Sequence, residues 1–208
     1  IEIVIKKAQK WIQDNNVRGE VLISNNNSID NTKQIAINNK VRVIDVEKRG
    51  YGNAIIEGIK QANGKYIIIG DADDSYNFLE INEFIDNLDK GYDLVIGNRY
   101  YHMEKGAMKF LHKYIGTPLL TYILNKKYNL KLHDINCGLR AFKKDKILSL
   151  NLNCEGMEFA NEMIVKAKKS ELNIKEIPIN FYKDKRNKKS HLNTIRDGFK
   201  HMRVIMNI

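Results

Sequence analysis

The chain has 208 residues, 43% of them hydrophobic and 9% aromatic, with 35 Lys and Arg against 25 Asp and Glu, a formal charge of +10. This balance fits one globular domain with a real core, and it excludes wholesale disorder as well as collagen-like, mucin-like and low-complexity chains. Two cysteines, Cys137 and Cys154, cannot build a disulfide framework, so a reducing cytosol is the simpler setting, and no apolar run approaches the ~18 to 20 residues of a membrane-spanning helix.

Ile1, Ile3, Val4, Ala8, Trp11 and Ile12 recur close to a 3.6-residue period and predict an amphipathic helix over 1–15 with no N-cap, as if the chain began in mid-element. Its charges come too early for a signal-peptide core. Short Val- and Ile-rich runs at 20–24, 41–46, 65–70 and 93–97 read as buried strands. Between them, 28–38, 52–62 and 78–88 read as helices, the first capped by Ser28 or Asp30. Strand and helix alternating at this pitch predict an α/β sheet with right-handed crossovers.

After Arg99 the pattern changes. AMKFLHKYIGTPLLTYILNKKY (107–128) mixes apolar residues with Lys and His, is broken by Gly116 and Pro118, and predicts broken, basic, amphipathic helices. NCGLRAF reads as a short strand or turn, MEFANEMIVKAKKS as a helix, and NIKEIPINFY as a strand with Pro178 at an edge or bulge. The last helix is expected to line up Leu192, Ile195, Phe199, Met202 and Ile205 on one face. Residues 181–208 hold eight Lys and Arg against two Asp, +6 of the +10. An end-loaded positive charge points to an anionic partner.

The sharpest chemical feature is KYIIIG followed by DADDSY, which sets Asp71, Asp73 and Asp74 just past the C-terminal end of a predicted buried strand, where sites of open α/β sheets lie. Crowded carboxylates repel each other unless a hard cation neutralises them, and oxygen ligands suit Mg²⁺ or Mn²⁺. An acidic loop capping the next helix is the plain alternative. An EF-hand loop is excluded, because Tyr76 stands where Gly is required and Asn82 where Glu is. RGYGNAIIEG has Ile55 where a dinucleotide fingerprint needs Gly or Ala, which argues against a Rossmann cofactor site. The amides of Gly50, Gly52 and Asn53 could still hold a phosphate at the helix start, or simply make a β-to-α turn.

In order along the chain, SNNNSIDNT (24–32), RGYGNAIIEGIKQANGKY, GDADDSYNF and GYDLVIGNRY resemble the family 2 glycosyltransferases with the GT-A fold. DINCGLRAFKKD, GMEFANEMIVKA and IPINFYKDKRNKKSHLNTIRDGFKHMR look like the polyprenyl-phosphate (dolichyl-phosphate) sugar synthases within them. The resemblance covers nearly the whole chain. It implies an α/β fold with a mixed, mostly parallel sheet flanked by helices, over a catalytic domain of residues 1–180. A basic, membrane-facing segment of residues 181–208 would follow. Two departures stand out. Nothing before Ile1 supplies the family's first strand and its P-x-x-N-E-E type motif, so the fold is expected to be N-terminally truncated. Asn25 and Asn26 also stand where an Asp for the base or ribose is usual.

What the resemblance implies chemically is an inverting transfer of a hexose from a nucleotide-sugar, of UDP-glucose or GDP-mannose type, to a polyprenyl phosphate. Asp71 and Asp73 would hold the Mg²⁺ or Mn²⁺. Asn25, Asp30, Gly50, Gly52, Asn53 and Asp71 would meet the donor, and Arg99 and Arg140 would clamp the acceptor phosphate. Asp74, Asp134 and Glu162 are secondary candidates, Glu162 equally fitting a core-edge carboxylate paired with a Lys. His112 and His133 read as ordinary, and the two thiols as small buried side chains. The implied partner is an anionic membrane surface, met from the cytoplasmic side without a span. Two rival readings are a catalytically silent, truncated GT-A domain and a nucleic-acid binder working through the Lys-rich 183–189 stretch. The second lacks any zinc-finger or RRM-type spacing.

Overall fold

A computed structural model of the protein describes residues 1–184 and 194–208, with backbone alone for 194 and 195. Lys185, Arg186, Lys188, Lys189 and Leu192, and the side chain of Ile195, therefore lie outside the described residues. The amphipathic opening forms α1 (Glu2–Asp14), which buries Val4, Ile5 and Trp11. Trp11 donates its indole N–H to Asn82 Oδ1 and so ties this helix to the main body. β1 (Leu22–Asn25) and β2 (Arg42–Asp45) pair in parallel around α2 (Thr32–Asn38) and lead into α3 (Tyr51–Gln61). They form a separate two-stranded sheet over a small cluster of Ile5, Ala36 and Val41. These two strands are only half-buried, unlike the expected buried runs, because a two-stranded ribbon leaves much of itself to solvent. At the start of α2 the Thr32 N–H donates to Asp30 Oδ1 at 3.1 Å, while Ser28 takes no capping part.

The second sheet has four strands in the order β3, β5, β4, β6, formed by β3 (Tyr66–Ile69), β4 (Leu94–Met103), β5 (Arg140–Lys143) and β6 (Ile174–Phe181). β4 carries the apolar centre, with Leu94, Val95 and Ile96 fully buried, as its run of β-branched and Leu residues requires. β5 runs antiparallel between β3 and β4, and β4 pairs with β6 in parallel. The sheet is thus mixed as expected, but its pairings with β1 and β2 included are evenly parallel and antiparallel rather than mostly parallel. Pro178 sits on the edge strand β6 at the register shift opposite Asn98, where its missing N–H costs no ladder bond.

Helices α4 (Asn82–Asp89) and α6 (Lys144–Leu148) pack on the sheet, and α7 (Phe159–Lys169) buries its apolar side chains in the same core beside α3. In the 107–128 segment a π-turn over His112–Gly116 runs into α5 (Thr117–Tyr128), which is the expected broken helix. α8 (Thr194–Asn207) lies against α7, α5 and the π-turn. Ile205 and Met202 of its predicted apolar stripe do pack on the core, whereas Phe199 stays 73% exposed. Among the described residues no helix is long and apolar enough to cross a membrane.

Candidate functional site

Antiparallel insertion of β5 brings its first residue beside the C-terminal end of β3 and the buried first half of β4: Arg140 stands opposite both Ile69 and Ile96. A cavity of about 380 Å³ opens there, walled further by α7, α8 and the 106–120 segment. Asp71, Asp73, Arg99 and Arg140 all line it, together with Lys109 and Lys183. Asn25, Asp30, Gly50, Gly52 and Asn53 do not. Asn25 lies at the end of β1, where its Nδ2 donates to Asp45 Oδ1 at 2.8 Å, and Asp30 is exposed on the turn before α2.

The three carboxylates diverge. Asp74, with a left-handed φ of 65°, turns to Lys7 of α1 in a 2.6 Å ion pair. Asp73 Oδ1 accepts the Ser75 N–H at 3.1 Å and the Ser75 hydroxyl at 2.6 Å, and both residues line the cavity. Asp71 receives a hydrogen bond from Tyr51, whose hydroxyl pKa is pushed well up by burial and by this carboxylate. Among the described residues no group of three His, Cys, Asp or Glu side chains is arranged to hold a metal. Two carboxylates opening on one cavity nonetheless fit Mg²⁺ or Mn²⁺, which keep several waters and take their remaining ligands from substrate phosphates.

Gly138 fits tightly against this pair: a Cβ there would come 3.1 Å from Asp71 Oδ2, 3.2 Å from the Tyr76 hydroxyl and 3.4 Å from that of Tyr51. Gly138→Ala should therefore displace Asp71 while the strand stays formed, and weaken metal-dependent nucleotide binding by about tenfold, the low end of what disturbing a ligand's support costs. Calorimetric titration with Mn²⁺ and UDP, alongside an unchanged far-ultraviolet dichroism spectrum, is the measurement.

Arg99 reaches the cavity from β4 in a two-pronged pair with buried Asp134, at 2.6 Å and 2.8 Å, and stacks 5.3 Å above Phe181. Burial works against its charge, but Asp134, helped by Tyr76 and Cys137, raises its pKa well above normal in sum. Arg140 differs. Its guanidinium donates to the carbonyls of Cys137 at 2.8 Å, Ala160 at 2.6 Å and Ile135 at 2.7 Å. It stitches the 135–138 loop to α7 instead of opening a fork to the cavity, and burial lowers its pKa.

The amides offered by sequence to a phosphate are also engaged internally. Gly50 N–H donates to Asn26 Oδ1 at 2.8 Å, and Gly52 and Asn53 N–H to Glu155 O at 2.8 and 3.4 Å. A Cβ at Gly52 would fall 1.9 Å from Cys154 O, so close approach of the 154–155 loop is what demands glycine there. Glu162 is the Lys-paired core carboxylate: it accepts from the Asn153 and Cys154 amides and meets Lys166 at 2.7 Å. Both thiols are free.

Sequence reasoning singled out neither Tyr51, which lies within RGYGNAIIEG, nor Asp197, Gly198 and His201 of α8, which line the cavity together with His112. The motifs that contain them mark a stretch of chain and not which of its side chains face the cavity. His201 is buried with Nδ1 2.9 Å from Asn161 Nδ2, and burial, opposed by Glu158 and Asp197 and aided by Arg140 and His112, pushes its pKa down to about 4. The folded state thus holds this ring neutral while the unfolded chain protonates it below its ordinary value of ~6.5. Its contribution is complete above that value and is lost as pH falls toward the folded pKa. Stability should drop by about 2 kcal/mol between neutrality and ~pH 4.5 from this group alone. His201→Gln should flatten that part of the thermal-midpoint profile, and identical profiles would exclude it.

Residues 5–149 match the family described as Glycosyl transferase family 2. The low-salt glycan biosynthesis hexosyltransferase Agl6 of Haloferax volcanii is 34% identical over 208 aligned positions, covering 97% of this chain and 50% of that protein. A dolichyl-phosphate hexose transferase of the same organism is 28% identical over 154 positions, covering 73% of this chain and 65% of its own length. The chain spans about half the length of the curated relatives it matches. Among solved structures, glucosyl-3-phosphoglycerate synthase from Mycobacterium tuberculosis, in complex with Mn²⁺, UDP and glucosyl-3-phosphoglycerate, superposes with a TM-score of 0.71 at 17% identity. The match covers 98% of this chain and 74% of that one, and it shows the shared GT-A type α/β fold.

Proposed function

The chain belongs to glycosyl transferase family 2, and from that premise we propose that it moves a hexose from a nucleotide-sugar to a polyprenyl phosphate at the cytoplasmic face of a membrane. The observation that carries this reading is the meeting of Asp71 and Asp73 with Arg99, Lys109 and Lys183 in one cavity at the strand ends. Carboxylates and cations lining the same cavity match a substrate pair in which a metal-bound diphosphate meets an anionic acceptor. The dolichyl-phosphate hexose transferase among the relatives supports a lipid phosphate, and the two free thiols agree with the reducing side of the membrane.

Asp71 and Asp73 would hold Mg²⁺ or Mn²⁺, which supplies Lewis-acid stabilisation of the leaving diphosphate. Tyr51 and Ser75 fix the angles of the two carboxylates before substrate arrives. A monoester phosphate with a second pKa of ~6 is largely dianionic at neutrality, so it needs alignment more than deprotonation. Arg99, kept charged and straight by Asp134, is the residue best placed to align it, with Lys109 and Lys183 adding charge. The acceptor oxygen would attack the anomeric carbon as its bond to the diphosphate breaks on the far side, which inverts the centre. Asn25, with Asp30 beyond it, is retained as the base-and-ribose end of the donor site.

Incubating the protein with radiolabelled UDP-glucose or GDP-mannose, Mn²⁺ and either polyprenyl phosphate or 3-phosphoglycerate tests the reading. Label in the organic phase supports it. Label only in a water-soluble product would reassign the acceptor, and no transfer from either donor would leave a binding-only domain.

A further inference from the structure

The 105–127 segment has two faces. Ala107, Met108, His112, Thr117 and Leu120 line the cavity, whereas Phe110, Leu111, Tyr114, Ile115, Leu119 and Tyr122 point outward and are exposed, Phe110 by 70%. The π-turn at 112–116 adds a residue to that turn, and across its start the exposed rings of Phe110 and Tyr114 sit with centroids 4.8 Å apart. α8, which packs on the π-turn and α5, repeats the arrangement: Asp197, Gly198 and His201 face the cavity while Phe199 and Met206 are exposed. Two neighbouring elements thus wall the same cavity and carry unburied apolar groups on their backs. So large an exposed cluster marks a contact surface.

Charge decides the occupant. Residues 105–127 contain five Lys and no Asp or Glu, and α8 adds Arg196, Lys200 and Arg203 on exposed positions against one Asp. A second copy meeting this face about a two-fold axis would set lysine against lysine. Aromatic rings interleaved with cations instead fit the headgroup layer of an anionic bilayer, where rings settle at the boundary and cations meet lipid phosphate. We propose that the outer faces of residues 105–127 and α8 form a docking surface for an anionic lipid bilayer, which places the cavity directly behind the headgroups. The surface itself follows from exposure and charge, and its use in catalysis rests on the lipid-acceptor reading above.

The test is flotation of the 208-residue chain with phosphatidylcholine vesicles containing or lacking phosphatidylglycerol, at physiological salt. Binding is expected with the anionic vesicles. It should fall by about tenfold or more when Phe110→Ser, Tyr114→Ser and Tyr122→Ser are combined, since each ring removed withdraws apolar area from the boundary. Lys105→Gln with Lys126→Gln should lower it severalfold and reduce its salt dependence. In Phe110→Trp, brominated phosphatidylglycerol should quench emission beyond the parent's Trp11 background. Parent protein indifferent to anionic vesicles, a triple variant that floats like the parent, or an unquenched Phe110→Trp would each overturn the surface. So would self-association of the parent that the triple variant abolishes without any vesicle binding. Parent protein that docks yet transfers no sugar to polyprenyl phosphate would leave the surface standing and overturn the acceptor assignment instead.

Discussion

Asp73→Asn should reduce Mn²⁺-dependent binding of UDP-glucose or GDP-mannose by on the order of a hundredfold, the top of the 10- to 100-fold range seen when only a ligand's supporting partner is removed. The exchange keeps an oxygen that can still accept from the Ser75 N–H and hydroxyl, so the turn after β3 retains both of its hydrogen bonds. What it removes is one negative charge from a cavity shared with Asp71. In the metal-free protein that change relieves repulsion, so the thermal midpoint should hold or rise slightly. Loss of metal-dependent affinity together with undiminished stability separates a ligand from a structural carboxylate. Asp74→Asn is the contrasting case, since Asp74 is turned to Lys7 on α1 and its loss should lower stability more than affinity. Equal calorimetric affinities for Asp73→Asn and the parent would remove Asp73 from the metal site.

Much of this site was legible because local patterning survives folding. A Val- and Ile-rich run stopped by Gly and followed by carboxylates has one placement in an open α/β sheet, and Asp71 and Asp73 occupy it. Pro178 could only sit on an edge or bulge, and it sits on both. Other features depend on which elements become neighbours, and periodicity carries no such information. Nothing in RAFK says that β5 inserts antiparallel between β3 and β4, yet that insertion brings Arg140 and Gly138 to the carboxylates. Tyr51 lies 20 positions before Asp71, and α8 follows the family match by more than 40 residues. Gly50 and Gly52 left two readings open for a physical reason: a tight turn for phosphate and the tight approach of another loop, here residues 154–155, select the same residue. The outward aromatics of 110–122 share their spacing with core residues, and only packing distinguishes the two.

Arg140 gives the largest expected loss of stability, and it also tests its assignment as a phosphate clamp. The side chain is almost fully buried, and its three nitrogens donate to three carbonyls on two separate stretches, Ile135 and Cys137 in one loop and Ala160 on α7. Arg140→Ala would leave those carbonyls without their donor and open a cavity beside Met163. With ~1 to 3 kcal/mol for each buried polar group left unsatisfied, the loss should reach at least ~3 kcal/mol. Arg140→Lys is the informative variant. An ammonium is a compact charge that cannot present a planar fork in three fixed directions, and burying it with fewer partners adds a desolvation cost. An anchoring role therefore predicts that Lys is nearly as destabilising as Ala in urea, with the 135–138 loop loosened and Asp71 disturbed through Gly138. A phosphate-clamping role predicts instead that Lys keeps the parent's unfolding midpoint and rescues part of the transfer. Urea midpoints for the two variants, read beside UDP affinity, decide between them. A Lys variant as stable as the parent would return Arg140 from the scaffold to the acceptor site.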